Sequence, residues 1–433
     1  LNEKQLGYLM VAPALILVIL VTLWPVAQSF YNSLFDYRLN DPSRSDRFLS
    51  SNVDLENYAN QYFYLSRDFE TLAADAPDPE AADAVSEIQA GIEGYHNELL
   101  EMDGLSEQYE EVESMLASFT AIGDRTLKYA EVDNEWAESY KAFLTESSEE
   151  LESFVTTADD EAFTTNAANV AGTLLMVENT VIESNFIGLK NYSRYLQDGR
   201  MWQSLYNTLI FTVVSVGAEL ILGLAIAILI NRTFTGRGIV RASVLIPWAI
   251  PTAVAAMMWK FLYDGQTGIV SHYFEQFSLI SDASVLLSTA TGGMFSVIFA
   301  DVWKTTPYMA LLLLAGLQTI PQGLYEAAEV DGAGKWQQFW KVTLPLLKSA
   351  ILVALLFRTL DAFRVFDLIF VLTGGGPANA TESISIYAYI TLFSQQNFGA
   401  GSVLSVIVFV SVAIISTLFI KFIGSDLFAG KTR

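Results

Sequence analysis

Several charged residues lie inside long apolar runs of this chain. Glu219 stands alone, Asp301 and Lys304 follow, and Arg358, Asp361, Arg364 and Asp367 recur at a spacing of three. On a helix, residues three apart share a face, so Asp301 can meet Lys304 and the last four form a ladder of alternating sign. Ionisable side chains at lipid depth face protein or water rather than acyl chains. Two chemistries are open. The ladder neutralises itself and fastens helices together, or it lines a water-filled polar path for a solute. Trp259, Tyr308, Asp361 and Arg364 are the candidate path residues, pairing aromatic faces with polar groups.

A second constellation is polar and glycine-broken. Glu326-Ala327-Ala328-Glu329-Val330-Asp331-Gly332-Ala333-Gly334 lies between two apolar runs, followed by a polar stretch from Lys335 to Thr343 and by Leu344-Pro345. Pro321 suits the start of a new helix over about Pro321 to Val330. Ala327 and Ala328 keep one side thin, Glu326 and Glu329 offer charge to a basic partner, and Gly332 and Gly334 permit a turn. The spacing predicts a short helix held between two membrane spans.

Other chemistry is excluded. There is no cysteine and there are two histidines far apart, so no thiolate or histidine-rich metal site is expected. No G-x-x-x-x-G-K-[ST] phosphate loop occurs, so the chain holds no nucleotide-hydrolysing centre of that kind. No catalytic residue is assigned, and neither a metal nor a nucleic acid is an expected ligand.

The elements that position these residues are apolar runs. Six have the ~20 residues needed to cross a bilayer, at about Leu6–Tyr31, Leu205–Ile230, Ser243–Leu262, Met294–Ile320, Leu347–Leu372 and Gly401–Ile423. The first continues through Trp24-Pro25 into aromatic residues and reads as a retained span rather than a cleaved signal. Pro247 and Pro251 kink the third. Arg232, Arg237 and Arg241, then Lys335, Lys341 and Lys348, then Lys431 and Arg433 fall in connections on one side, which the positive-inside rule marks as cytoplasmic. Both termini are then cytoplasmic.

Residues 41–185 differ in kind. They hold 33 of the 48 acidic residues and 6 of the 24 basic ones. Leu55, Tyr58, Tyr62, Leu65, Phe69 and Leu72 are spaced alternately three and four apart, as are Val85 to Met102 and Leu105, Tyr109, Val112, Leu116 and Phe119. That period predicts packed helices. Breaks at Pro77-Asp78-Pro79, Gly104 and Gly123-Asp124 separate them, a long helix follows over about Arg125 to Val155, and a last runs from about Glu161 to Val181. The fold class is all-α: a six-span helical membrane protein with an extracytoplasmic antiparallel bundle inserted between spans one and two. Residues 1–40 hold the first span, 41–185 the acidic bundle, and 186–433 a five-span core that includes the short helix and its sequel at 321–343.

Glu326-Ala327-Ala328, Asp331-Gly332-Ala333 and Leu344-Pro345 together resemble the EAA motif of permease subunits of ATP-binding-cassette (ABC) importers. Phe186-Ile187-Gly188-Leu189-Lys190-Asn191-Tyr192, Asn207-Thr208-Leu209, Gly236-Arg237-Gly238, Leu245-Ile246-Pro247-Trp248 and Gly374-Gly375-Gly376-Pro377 resemble its carbohydrate branch, the maltose, trehalose and glycerol-phosphate type. The resemblance covers about 6–38 and 185–424 and omits the acidic insert. It implies that Glu326, Ala327, Ala328, Asp331 and Gly332 dock on a cytoplasmic ATPase subunit, coupling hydrolysis there to import of a sugar or polyol. It implies a second homologous permease, two ATPase subunits carrying ATP and magnesium, an extracytoplasmic solute-binding protein, and a multi-pass location in a bacterial inner or plasma membrane. This chain would hold no cofactor. A competing reading is a membrane sensor that reads an external ligand through the bundle.

Overall fold

The computed structural model describes residues 3–157 and 160–429. The chain opens with α1 (Glu3–Val18) and α2 (Trp24–Asn32), joined by a π-helical turn at Ile19–Leu23. The turn precedes Pro25, whose missing N–H deletes one rung of the α ladder, and a π-turn absorbs the defect. Residues Gly7–Asn32 form one helical stretch long and apolar enough to cross a membrane.

The chain divides into two compact units, one made of 34–188 with 396–399 and the other of 1–33, 189–395 and 400–433. The first contains β1 (Asn52–Asp54), α3 (Leu55–Ala74), α4 (Pro79–Glu101), α5 (Leu105–Ala117), α6 (Arg125–Lys128), β2 (Tyr129–Glu131), α7 (Asn134–Thr157), α8 (Glu161–Glu178) and β3 (Val181–Ile182). Aspartates start its helices: Asp54, Asp78 and Asp160 each accept a backbone N–H at an N-terminus, which satisfies donors that have no intrahelical partner. The three-four stripe is the core, with Tyr58, Leu65, Phe69, Leu72, Val85, Ile88, Ile92, Val112, Tyr140 and Leu151 buried together.

Three expectations for this unit are corrected. The long helix over Arg125 to Val155 does not form, because Lys128 is followed by β2 and the helix restarts at Asn134. The unit is not all-α: β1 lies between β2 and β3, antiparallel to both, pairing Val53 with Ala130 and with Val181. Valines and isoleucine suit such pleated positions. Phe119 does not join the stripe. Helix α5 ends in a Schellman turn, with the Phe119 N–H donating to the Leu116 carbonyl and the Thr120 N–H to the Met115 carbonyl. Phe119 takes the left-handed position of that turn, at φ 52°, and is 98% exposed.

The other unit continues with α9 (Lys190–Leu196), α10 (Gly199–Asn231), α11 (Arg237–Val244), α12 (Ile246–Ala249), α13 (Thr252–Leu262), α14 (Ile269–Gln276), α15 (Val285–Ser288) and α16 (Ala290–Leu317). Then come α17 (Gln322–Val330), α18 (Lys335–Gln338), α19 (Leu344–Phe363), α20 (Asp367–Leu372), α21 (Ile384–Tyr389) and α22 (Phe398–Ala429). Five helical stretches among the described residues are long and apolar enough to span a membrane, the last four being Gly199–Asn231, Ala290–Leu317, Lys335–Phe363 and Phe398–Phe422. The run at 243–262 is not a sixth. It breaks after Val244 and again at Ile250, which is extended at φ −71° and ψ 132° ahead of Pro251. A residue before proline is driven out of the α region by the ring, and the break leaves two short helices and α13.

Helices α10, α16 and α19 pack against one another. Glycines let them approach. A Cβ on Gly223 would stand 2.8 Å from Met309 Cγ, and one on Gly316 would stand 2.4 Å from Ala350 Cβ. Small residues at such crossings are the means by which helices pack closely where no hydrophobic drive separates lipid from protein.

Candidate functional site

The close packing of α10, α16 and α19 brings three ionisable side chains together. Arg358, from α19, donates from Nε to Glu219 Oε2 at 2.5 Å and from Nη2 to Glu219 Oε1 at 2.9 Å, a bidentate pair with α10. The same guanidinium pairs with Asp301 on α16. Its Nη1 donates to Asp361 Oδ2 at 3.2 Å, one turn along α19. Glu219 and Arg358 are 0% and 2% exposed. Buried charges persist only when paired and hydrogen-bonded, and a planar guanidinium with five donors is the side chain suited to holding several carboxylates at once.

One side of this cluster opens into a cavity of about 330 Å³. Asp301, Lys304, Arg358, Asp361 and Arg364 line it, with Trp248 and Phe366 as aromatic wall. Trp248 stacks on Tyr308, with ring centroids 5.6 Å apart at 16°. Lys304 is buried, and among the described residues it makes no hydrogen bond and no ion pair within 4 Å. Arg364 Nη2 lies 3.7 Å from Asp361 Oδ1 and is largely exposed.

The ladder of alternating sign is thus not one continuous face. Helix α19 ends at Phe363, Arg364 caps it, and Asp367 opens α20. Arg358 turns across to other helices, and its Asp301 contact replaces the expected Asp301–Lys304 pairing. Of the four path residues, Asp361 and Arg364 line the cavity, and Tyr308 stands behind Trp248. Trp259 lies elsewhere, buried against Tyr263, Phe299 and Trp303. An aromatic in a proline-broken run is, at this position, a core residue. Sequence reasoning does not single out Trp248 as a wall residue, although its place between Pro247 and Pro251 marks the helix break that exposes it.

The polar stretch between α16 and α19 is α17, a tight turn, α18 and a π-turn at Phe339–Thr343. Pro321 precedes α17 as its cap rather than lying within its first turn. The end of α17 is again a Schellman turn: the Gly332 N–H donates to the Glu329 carbonyl at 3.0 Å and the Ala333 N–H to the Ala328 carbonyl at 2.9 Å. Gly332 sits at φ +80°, where a Cβ costs conformational energy, although open space surrounds it. Gln338 is buried and donates to the Ala333 carbonyl, and the Tyr325 hydroxyl meets Thr343 Oγ1 at 3.0 Å. These bonds hold α17 against α18 and the π-turn. Lys335 pairs with Glu329 and holds its carboxyl below the usual range. Glu326, Ala327, Asp331 and Gly332 are exposed, and Ala328 is half-buried. No residue of α17 is buried, so the helix presents an uncovered surface.

A family model described as the binding-protein-dependent transport system inner membrane component matches residues 219–427. The chain is 47% identical over 240 residues to the trehalose/maltose transport system permease protein MalF of Thermococcus litoralis, covering 55% of this chain and 80% of that protein. It is 48% identical over 243 residues to the trehalose transport system permease protein SugA of Mycobacterium tuberculosis, covering 56% and 76%. It is 36% identical over 242 residues to the sulfoquinovosyl glycerol transport system permease protein SmoG of Agrobacterium fabrum, covering 56% and 78%. In fold it resembles a chain of a bacterial ABC transporter that imports the acidic polysaccharide alginate, with a TM-score of 0.51 and 23% identity over 55% of this chain and 84% of that one.

Proposed function

The chain belongs to the binding-protein-dependent inner-membrane permeases of ABC importers, and on that footing we propose that it carries a sugar or related polyol, driven by ATPase subunits that dock on α17. The observation that carries this reading is α17 itself. It is short, uncovered and fixed by a Schellman turn, and it lies in sequence between α16 and α19, the helices that hold Asp301 and Arg358. A displacement of α17 would reach the charge cluster through two helix ends. The cavity lined by Lys304, Asp361 and Arg364 offers donors and acceptors beside the Trp248 face, which suits hydroxyl groups on a ring. Relatives named for trehalose and maltose support the substrate class.

In this reading Glu326, Ala327, Ala328, Asp331 and Gly332 face a cytoplasmic ATPase. A second homologous permease, two ATPases that bind ATP and magnesium, and an extracytoplasmic solute-binding protein complete the importer. The relatives do not favour the sensor alternative. The test is ATPase stimulation and uptake by the reconstituted complex across a panel of sugars and polyols. Ala328→Trp, which adds bulk to the thin side, and Gly332→Pro, which cannot adopt φ +80°, abolish both while the chain stays in the membrane. Undiminished uptake by both variants would sink the coupling role.

A further inference from the structure

The acidic unit contains a cavity of its own, of about 540 Å³, between α3, α4 and α5. One wall is aromatic and held in place. The Tyr62 ring stacks on the His96 imidazole at 3.9 Å and 15°, Tyr109 meets that imidazole edge-on at 5.3 Å, and the Tyr58 hydroxyl lies 3.1 Å from His96 Nδ1. Phe63 adds an exposed ring beside them. Packing fixes the Tyr62, His96 and Tyr109 rings before any ligand arrives, which lowers the ordering cost of binding.

The polar lining is mixed in sign. Arg67 and Glu70 contribute from α3, one turn apart, and Glu110 and Glu113 from α5, one turn apart. Arg67 spends two contacts on Asp68, at 3.0 and 3.2 Å, and a guanidinium has five N–H donors, so donors remain. Ser106 adds a hydroxyl. An anion would face three carboxylates here, and a cation would face Arg67. A neutral molecule with many hydroxyls uses both kinds of group, donating to carboxylates and accepting from the guanidinium and hydroxyls, while its C–H faces rest on the rings. We propose that this groove binds a saccharide, with Tyr62 and Phe63 as the stacking faces, Glu110 and Glu113 as acceptors and Arg67 as donor. None of its lining residues lines the cavity in the other unit.

The experiment is calorimetric titration of the full chain in detergent micelles with glucose, maltose, trehalose and raffinose, and separately with tetramethylammonium chloride. At least one sugar binds, and Phe63→Ala and the pair Glu110→Gln with Glu113→Gln each weaken it by tenfold or more at unchanged melting temperature. Should either variant fail to fold, Ser106→Trp, at an exposed position, fills the groove and gives the same loss. No heat with any sugar overturns the proposal. So does sugar binding that the groove variants leave intact, or binding of tetramethylammonium alone. The readout is binding rather than uptake, so failure here leaves the import reading untouched, and the reverse.

Discussion

At the scale of single residues, the charge in the membrane unit is arranged around Arg358. Arg358→Leu leaves Glu219 and Asp301 buried without their guanidinium partner, and removing one partner of a buried pair costs about 3–5 kcal/mol. The expected result is a large fall in melting temperature in detergent. Glu219→Gln with Asp301→Asn in the same chain restores much of it, because the orphaned charge is gone. Phe119 carries an opposite lesson. It holds a position that favours glycine, so Phe119→Gly stabilises the acidic unit by about 1 kcal/mol, read as a rise in denaturation midpoint. Burial lowers the His96 pKa, so the folded unit resists protonation. The unfolded chain takes up that proton as pH falls below about 6.5, and stability declines from there downward until the folded pKa is passed. His96→Gln flattens that slope in thermal melts. The sequence shows that Arg358 is costly but not which carboxylate it chooses, since its partners lie 139 and 57 residues away.

At the scale of elements, period and punctuation carry most of the reading. Stripes spaced three and four apart are buried faces, and aspartates are caps. A proline inside an apolar run predicts a kink, yet Pro247 and Pro251 divide one run into separate short helices. The difference is Ile250, where extended backbone replaces a bend. Short strands are illegible because two or three residues carry no period. The helix crossings are also hidden, since a glycine in an apolar run looks the same whether or not a neighbour leans on it. Gly316 is such a contact. Gly316→Val forces α16 away from Ala350 and Leu347, costing about 1–3 kcal/mol and lowering the melting temperature in detergent, whereas Gly323→Val, with open space around it, does not.

At the scale of the molecule, the family match at 219–427 lies wholly outside the acidic stretch. The membrane unit has its own buried cluster, and the acidic unit has another. Replacing residues 45–180 by a short linker is therefore expected to leave a chain that enters the membrane and supports uptake in the reconstituted complex. Loss of uptake with normal membrane yield would show that the insert takes part in the cycle. The division itself is legible, because 33 carboxylates crowd one stretch of sequence. The mixed groove within it is not, since its lining comes from three helices whose rotation only packing fixes.

The charge cluster also sets an order of manufacture. Glu219 and Asp301 are synthesised before Arg358, by 139 and 57 residues. During translation, α10 and α16 reach the bilayer carrying two carboxylates whose counter-ion does not yet exist. Until α19 emerges, those groups must be held by solvent, by a proton, or by the insertion machinery. The nascent protein has a vulnerable interval that closes when one arginine arrives.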